Sequence, residues 1–398
     1  MVSRLRNKWQ TIMNTEITGE SLYMFAFVVV LFVSFIINTT FMSYLVVKYL
    51  NYIAYLMVGL LLIKIVTFDH YQWWQLLILF GIFGLAVISW RKSKITSLMI
   101  MTAFVIAARN VDFDKIIHTY LWVNGILLSM TFLYSVIGVI TNLTYYRSRI
   151  PRLALGIDYP TDLAAYVLYW IFAWCFYHYE DLTFRDYFVI VIVDLLMFLV
   201  TNARLDGLMI LLFIITILLA KRADSGKKIS INICKTFWFL NIVLPYVYFL
   251  FNYFYSGDNG IMRRINGLLS GRLELGRRGL NTYGLTVFGQ HIAERGWGGS
   301  SGLKMAKKQP WRYFFIDSSY MRLLLIYGLL IGALVVVVII AISIRSTLKH
   351  EYLLTAIMLM ITISSLIDQH LLEITFNPFL IALLANNVNY GVKGDNYE

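Results

Sequence analysis

The feature that most constrains this chain is a series of apolar runs, each long enough to span a bilayer, that recurs from near residue 22 to near residue 390. A hydrocarbon core of about 30 Å calls for about 20 apolar helical residues. Windows of that size give runs at 22–39, 42–63, 72–89, 95–108, 116–141, 162–178, 186–201, 206–220, 233–254, 319–344, 352–367 and 375–390. Lipid cannot satisfy backbone N–H and C=O groups, so runs of this kind are expected to be helices. The predicted fold is therefore all-α, a polytopic integral membrane protein of about 12 transmembrane helices. Composition agrees: 59% of the 398 residues are hydrophobic and 14% charged, against about 45–50% and about 25% in soluble domains.

The formal charge of +12 comes mostly from links between the runs, where cations orient a membrane protein and meet lipid phosphate. Nucleic acid is not an expected partner. With the N-terminus in the cytoplasm, the short inside links carry twice the Lys and Arg of the outside ones, whose cations are Arg91, Lys92, Lys94, Arg147, Arg149, Arg152 and Arg204. That bias predicts cytoplasmic N- and C-termini, with Arg91, Lys92 and Lys94 against the trend. No small-residue cleavage site follows the run from Leu22 to Ile37, so it reads as a retained first span. Cys175 and Cys234 fall inside predicted spans and suggest neither a disulfide framework nor a metal site.

The chain divides into spans one to nine (1–254), a long loop (255–317), and spans ten to twelve with a cytoplasmic tail (318–398). The loop is predicted to lie outside the cytoplasmic membrane. It holds ten Lys or Arg residues and twelve of the 25 glycines, and loops this long are usually binding elements or lids. Nucleotide-binding and hydrolase signatures are missing. Outer-side carboxylates such as Asp258, Glu274 and Glu294 are scattered singly, so nothing in the sequence calls for a metal or another cofactor.

Four charged residues stand at predicted outer positions: Arg152, Arg204 in a tight turn, Arg272 in the loop, and His370 in Asp368-Gln-His370-Leu-Leu-Glu373. Guanidinium groups stay charged and bind phosphate oxygens bidentately, which suits a lipid-linked pyrophosphate. A histidine suits proton transfer from a sugar hydroxyl. The plainer readings are that Arg204 snorkels, that Arg152 anchors headgroups with Arg147 and Arg149, and that Arg272 and His370 are solvated loop residues. His291 is a second, weaker base candidate.

Four stretches carry a resemblance. Arg152-Leu-Ala-Leu-Gly156-Ile-Asp-Tyr-Pro160 is similar to an Arg-x-x-Leu-Gly-x-x-x-Pro segment, with Thr161 where Asn often follows. Thr201-Asn-Ala-Arg204 is similar to a small-residue-plus-Arg turn. Ser270-Gly271-Arg272, with Phe288-Gly289, is similar to a loop Gly-Arg segment. Asp317-Ser-Ser-Tyr320, with Tyr327-Gly328, looks like an Asp-Asn-x-Tyr segment with Ser318 in place of Asn. In order and placement the chain resembles the Wzy-type polysaccharide polymerases of the O-antigen ligase superfamily.

The resemblance implies a glycosyltransferase of the bacterial cytoplasmic membrane. It would join undecaprenyl-pyrophosphate-linked repeat units into a surface or exopolysaccharide by metal-independent inverting transfer on the outer face. Donor and acceptor would both be lipid-linked glycans, and a flippase and a chain-length regulator are the expected protein partners. Carried over to this sequence, Arg204 and Arg272 would hold the pyrophosphate and His370 would act as base or acceptor-positioning group, with Arg152, Asp317, Tyr320 and Glu373 in support. A ligase would share these features. A flippase or transporter predicts mid-membrane charges and two related halves; here the charges crowd one face and no halves repeat, although Lys48, Asp194 and Lys235 lie within or near spans.

Overall fold

The computed structural model describes residues 18–147 and 149–386; the sequence-predicted termini, and residues 387–390 of the last expected span, lie outside them. The described chain is mostly helical, in sixteen α-helices: α1 Gly19–Ile37, α2 Val47–Phe68, α3 Trp73–Ser93, α4 Ser97–Ile106, α5 Phe113–Ile137, α6 Pro160–Tyr177, α7 Phe184–Thr201, α8 Arg204–Asp224, α9 Lys228–Cys234, α10 Phe237–Tyr253, α11 Gly260–Leu268, α12 Arg272–Tyr283, α13 Gly299–Lys308, α14 Ser319–Arg322, α15 Leu329–Leu348 and α16 Tyr352–Ile367. Of these α1, α2, α3, α5 and α15 are long and apolar enough to cross a membrane. A sixth follows if α9 and α10, bent by 40°, are taken as one span.

Local chemistry sets the helix ends. Thr18 and Ser21 cap α1 reciprocally, and Asp112 caps α5. Pro160 occupies the first position of α6, where its missing N–H costs nothing. Asn202, left-handed at φ 49°, ends α7 and turns the chain straight into α8. The core is aromatic: Phe172 meets Phe213 at 4.4 Å between ring centres and Phe35 meets Tyr166 at 4.9 Å, contacts that add to area burial.

Four expectations need correction. An antiparallel hairpin, β1 Thr144–Arg147 and β2 Ile150–Leu153, pairs Tyr145 with Arg152, so the fold is not purely α. The expected span 95–108 is the ten-residue α4, about 15 Å long at helical rise. It reaches the far end of the bundle only with the turns after it, through Val111. There Tyr23 donates to the Phe104 carbonyl, Asp112 N–H to Glu20, and a buried Lys64 to Asp69 at 2.6 Å and the Ala107 carbonyl at 2.8 Å.

The expected span 319–344 is interrupted. After α14 the backbone makes a π turn, Leu323–Tyr327, and breaks at Gly328 (φ 96°) before α15 begins. The residues of the expected span 375–390 that are described form no long helix, only the 3-10 turn Phe379–Leu383. From Asp368 to Asn386 the chain instead runs irregularly through the bundle, with Leu371, Phe376, Phe379 and Ile381 buried. It reaches the opposite end, where the Asn386 N–H donates to the Val111 carbonyl at 2.8 Å and the Asn386 carbonyl accepts from the Phe113 N–H at 3.0 Å. Asn377 precedes Pro378, which disfavours helix, and its side chain bonds the Leu371 carbonyl and the Phe379 N–H. Irregular backbone at such depth is tolerated where protein surrounds it.

Candidate functional site

At the end of the bundle carrying Arg272, a cavity of about 320 Å³ opens among the ends of α1, α6, α8, α12 and α16 and the loop before α14. Five carboxylates line it: Asp158, Asp162, Asp206, Asp317 and Asp368. Tyr159, Trp297, Tyr313 and Phe315 supply ring faces and edges, and Arg272 is the one cation in the lining. Asp162 and Asp206 stand in the first turns of α6 and α8, where partial positive charge offsets part of the acidic load.

Arg272 opens α12 behind Gly271, whose φ of 89° a β-carbon would resist. Its Nε donates to the Ile367 carbonyl at 2.7 Å and its Nη1 to the Leu269 carbonyl at 3.2 Å. Asp317 Oδ2 lies 3.6 Å from Nε. Burial pushes the Asp317 carboxyl up, with Arg272 pulling the other way.

His370 is buried behind the cavity wall, its ring stacked on Phe376 at 3.6 Å, which in turn stacks on Tyr166 at 3.8 Å. Nε2 lies 3.3 Å from Asp368 and 3.5 Å from Asp162, and Nδ1 lies 3.2 Å from Glu373. These are ion contacts rather than aligned hydrogen bonds. Both nitrogens thus face carboxylates, which accept and do not donate when ionised. The ring, faced by carboxylates at both nitrogens, stands where it can position them. Burial pushes Asp158 up to about 7, with Asp162 adding to the shift.

Beside the cavity stand further guanidinium groups. Arg152 is buried, donates Nε to the Thr201 carbonyl at 2.6 Å and lies over the Tyr159 ring, yet its Nη2 has no hydrogen-bond partner. Arg204 is exposed, with only a 3.4 Å contact to Asn202. Arg147 reaches the Asn202 carbonyl at 3.5 Å. Burial, and then the charges of Arg152, Arg204 and Arg272, depress its guanidinium, so the four cations share one neighbourhood.

Of the residues singled out from sequence, Arg272 and Asp317 line the cavity, and His370 and Glu373 form the ion cluster behind it. Arg152 and Arg204 flank it without lining it. Tyr320 packs into the main core, away from the lining. His291 contacts the Ser93 carbonyl, and Glu294, which looked isolated, pairs with Arg322 at 2.8 Å. Sequence reasoning found Asp317 but missed the other four aspartates, Arg147 and the aromatic wall. Asp158 and Asp368 stood within the very motifs quoted, and Asp206 two residues beyond Arg204, each a few residues from a candidate cation. Among the described residues no three His, Cys, Asp or Glu side chains converge as a metal site does. Comparison with known proteins gives no match to a family model, a curated protein or a solved structure.

Proposed function

We propose that the chain is a Wzy-type polysaccharide polymerase, joining undecaprenyl-pyrophosphate-linked repeat units on the outer face of the bacterial cytoplasmic membrane. One observation carries the reading: a carboxylate- and aromatic-lined cavity holds Arg272 and adjoins Arg147, Arg152 and Arg204. Aromatic faces and carboxylates suit sugar rings and hydroxyls, and forked guanidinium groups suit a diphosphate. The acidic lining itself repels a diphosphate, so the leaving group belongs on the arginine side and the sugar within. The resemblance in four ordered motifs supports the same activity.

In this reading the chain passes the membrane about twelve times, one passage being the irregular segment 368–386, with both termini cytoplasmic and residues 255–317 outside. An acceptor hydroxyl attacks the anomeric carbon from the face opposite the diphosphate, a carboxylate takes its proton, and the carbon–oxygen bond to phosphate breaks with its electron pair leaving on the diphosphate. The arginines stabilise charge as it develops.

The test is purified protein in lipid discs given an undecaprenyl-pyrophosphate-linked repeat unit. The expected result is a ladder of lengthening glycans without ATP or added divalent ion. Transfer to a different acceptor with no ladder would mark a ligase. Substrate that only crosses a vesicle bilayer unchanged would mark a transporter and overturn the reading.

A further inference from the structure

A second cavity, of about 190 Å³, lies on the other side of His370, between α1, α2, the start of α4 and residues 373–375. Its polar lining is Ser34, Asn38, Asn51, Thr96, Ser97, Thr375 and Glu373. It has hydroxyls, amides and one carboxylate, and no lysine or arginine. That set can exchange hydrogen bonds with a neutral polyol and offers nothing to a diphosphate.

Two contacts join this space to the larger cavity. Asn38 lines both, its Nδ2 held by the Tyr166 hydroxyl and the Ser34 carbonyl, each at 3.2 Å. His370 bridges them, with Asp162 and Asp368 of the larger cavity at Nε2 and Glu373 of the smaller at Nδ1. Glu373 keeps 26% of its side chain exposed although His370 beside it keeps only 2%, so the carboxylate presents itself to the small cavity.

We infer that the smaller cavity is the acceptor subsite, taking the terminal sugar of the incoming lipid-linked glycan, and that Glu373 is the base that receives the proton of its attacking hydroxyl. This rests on the glycosyl-transfer reading above and deepens it by assigning the two substrates to separate cavities. The oxygen–hydrogen bond of the acceptor breaks towards Glu373 as the new bond to the anomeric carbon forms. The donor carbon–oxygen bond breaks into the diphosphate. His370, fixed between the carboxylates, positions Glu373.

The experiment uses the full chain in lipid discs with an undecaprenyl-pyrophosphate-linked repeat unit, and reads glycan growth and retention of the lipid-linked donor separately. Glu373→Gln is expected to cut growth about 100-fold, the usual scale of a lost general base. Asn51→Leu, which removes an amide from the lining, and Thr96→Leu, which removes a hydroxyl and adds bulk, are expected to cut it about tenfold, since both take away ligand contacts in a sugar-sized space. Donor retention stays at the wild-type level in all three. Should the leucine variants fold poorly, alkylation of folded Asn51→Cys protein by N-ethylmaleimide replaces them, the native Cys175 and Cys234 being buried; growth falls on labelling while donor stays bound. Undiminished growth in the leucine variants or the labelled protein overturns the subsite, as does loss of donor in parallel with growth. A wild-type protein that neither retains donor nor makes polymer overturns the glycosyl-transfer reading itself.

Discussion

Arg272 caps the carboxyl end of α16: its Nε donates to the Ile367 carbonyl at 2.7 Å. The residue that opens a loop helix therefore satisfies an orphan carbonyl of a bundle helix, and its charge faces the negative end of that helix dipole. One guanidinium both anchors the loop and offers its remaining N–H groups to the cavity.

Arg272→Ala is expected to lower stability by about 1–3 kcal/mol, the range for a hydrogen bond to a charged group, and to abolish chain growth. Arg272→Lys keeps the charge, and melts closer to wild type, but an ammonium cannot cap Ile367 and fork a diphosphate together. Its growth rate is expected to fall at least about tenfold, with thermal melts in detergent beside the ladder assay as the check.

Arg152 and Arg204 should agree in both stability and function although one is buried and the other exposed. Arg204→Ala should melt within about 0.5 kcal/mol of wild type, as an exposed residue does. Arg152→Met removes a buried guanidinium whose Nη2 lacks a partner, so it should be near neutral, because apolar replacement of a buried charge often is. Both variants should capture less lipid-linked donor. Undiminished capture by Arg152→Met would show that this cation only ties the hairpin to Thr201.

Gly328→Ala should be severely destabilising. A β-carbon there would run into the backbone nitrogen of Gly289 and the Val287 carbonyl, and φ is 96°. Neither backbone group can turn aside, so the expected loss is at least about 3 kcal/mol. Gly257→Ala, in open space, is the control, and yield of folded protein compares the two.

Asp158 makes stability pH-dependent in a stated direction. Burial raises its folded value to about 7, so the native state holds the proton more firmly than the unfolded chain does. Its stabilising contribution is present at about pH 4 and is lost as pH rises through about 7. Asp158→Asn should match wild type near pH 4 and exceed it near pH 8 by about 1–4 kcal/mol. A variant less stable than wild type at pH 8 contradicts this.

Apolar periodicity located the helices well where composition and conformation coincide. The expected 162–178 and 186–201 appear as Pro160–Tyr177 and Phe184–Thr201. It misread 375–390 because hydropathy reports burial, and burial in protein admits irregular backbone that burial in lipid does not; Asn377-Pro378 was the available sign. The His370–Glu373 pair was partly legible, three residues apart in one turn. The five-aspartate cavity was not, since its members come from segments as distant as Asp158 and Asp368 and meet only through tertiary packing. Phe288-Gly289 and Tyr327-Gly328 were noted as separate motifs, whereas their glycines press backbone against backbone.

The unwound turn before α15 also bears on how the protein is assembled. Its liberated carbonyls are taken by partners outside the helix: Ile326 accepts from the Gln290 N–H at 2.9 Å, Leu325 from the Gln290 side chain at 3.2 Å, and Tyr327 from the Ser89 hydroxyl at 2.8 Å. In hydrocarbon each orphaned carbonyl would cost several kcal/mol. This segment therefore gains its native form only once the strap at 286–290 and α3 are in place beside it, which couples closure of the interrupted helix to the docking of both neighbours.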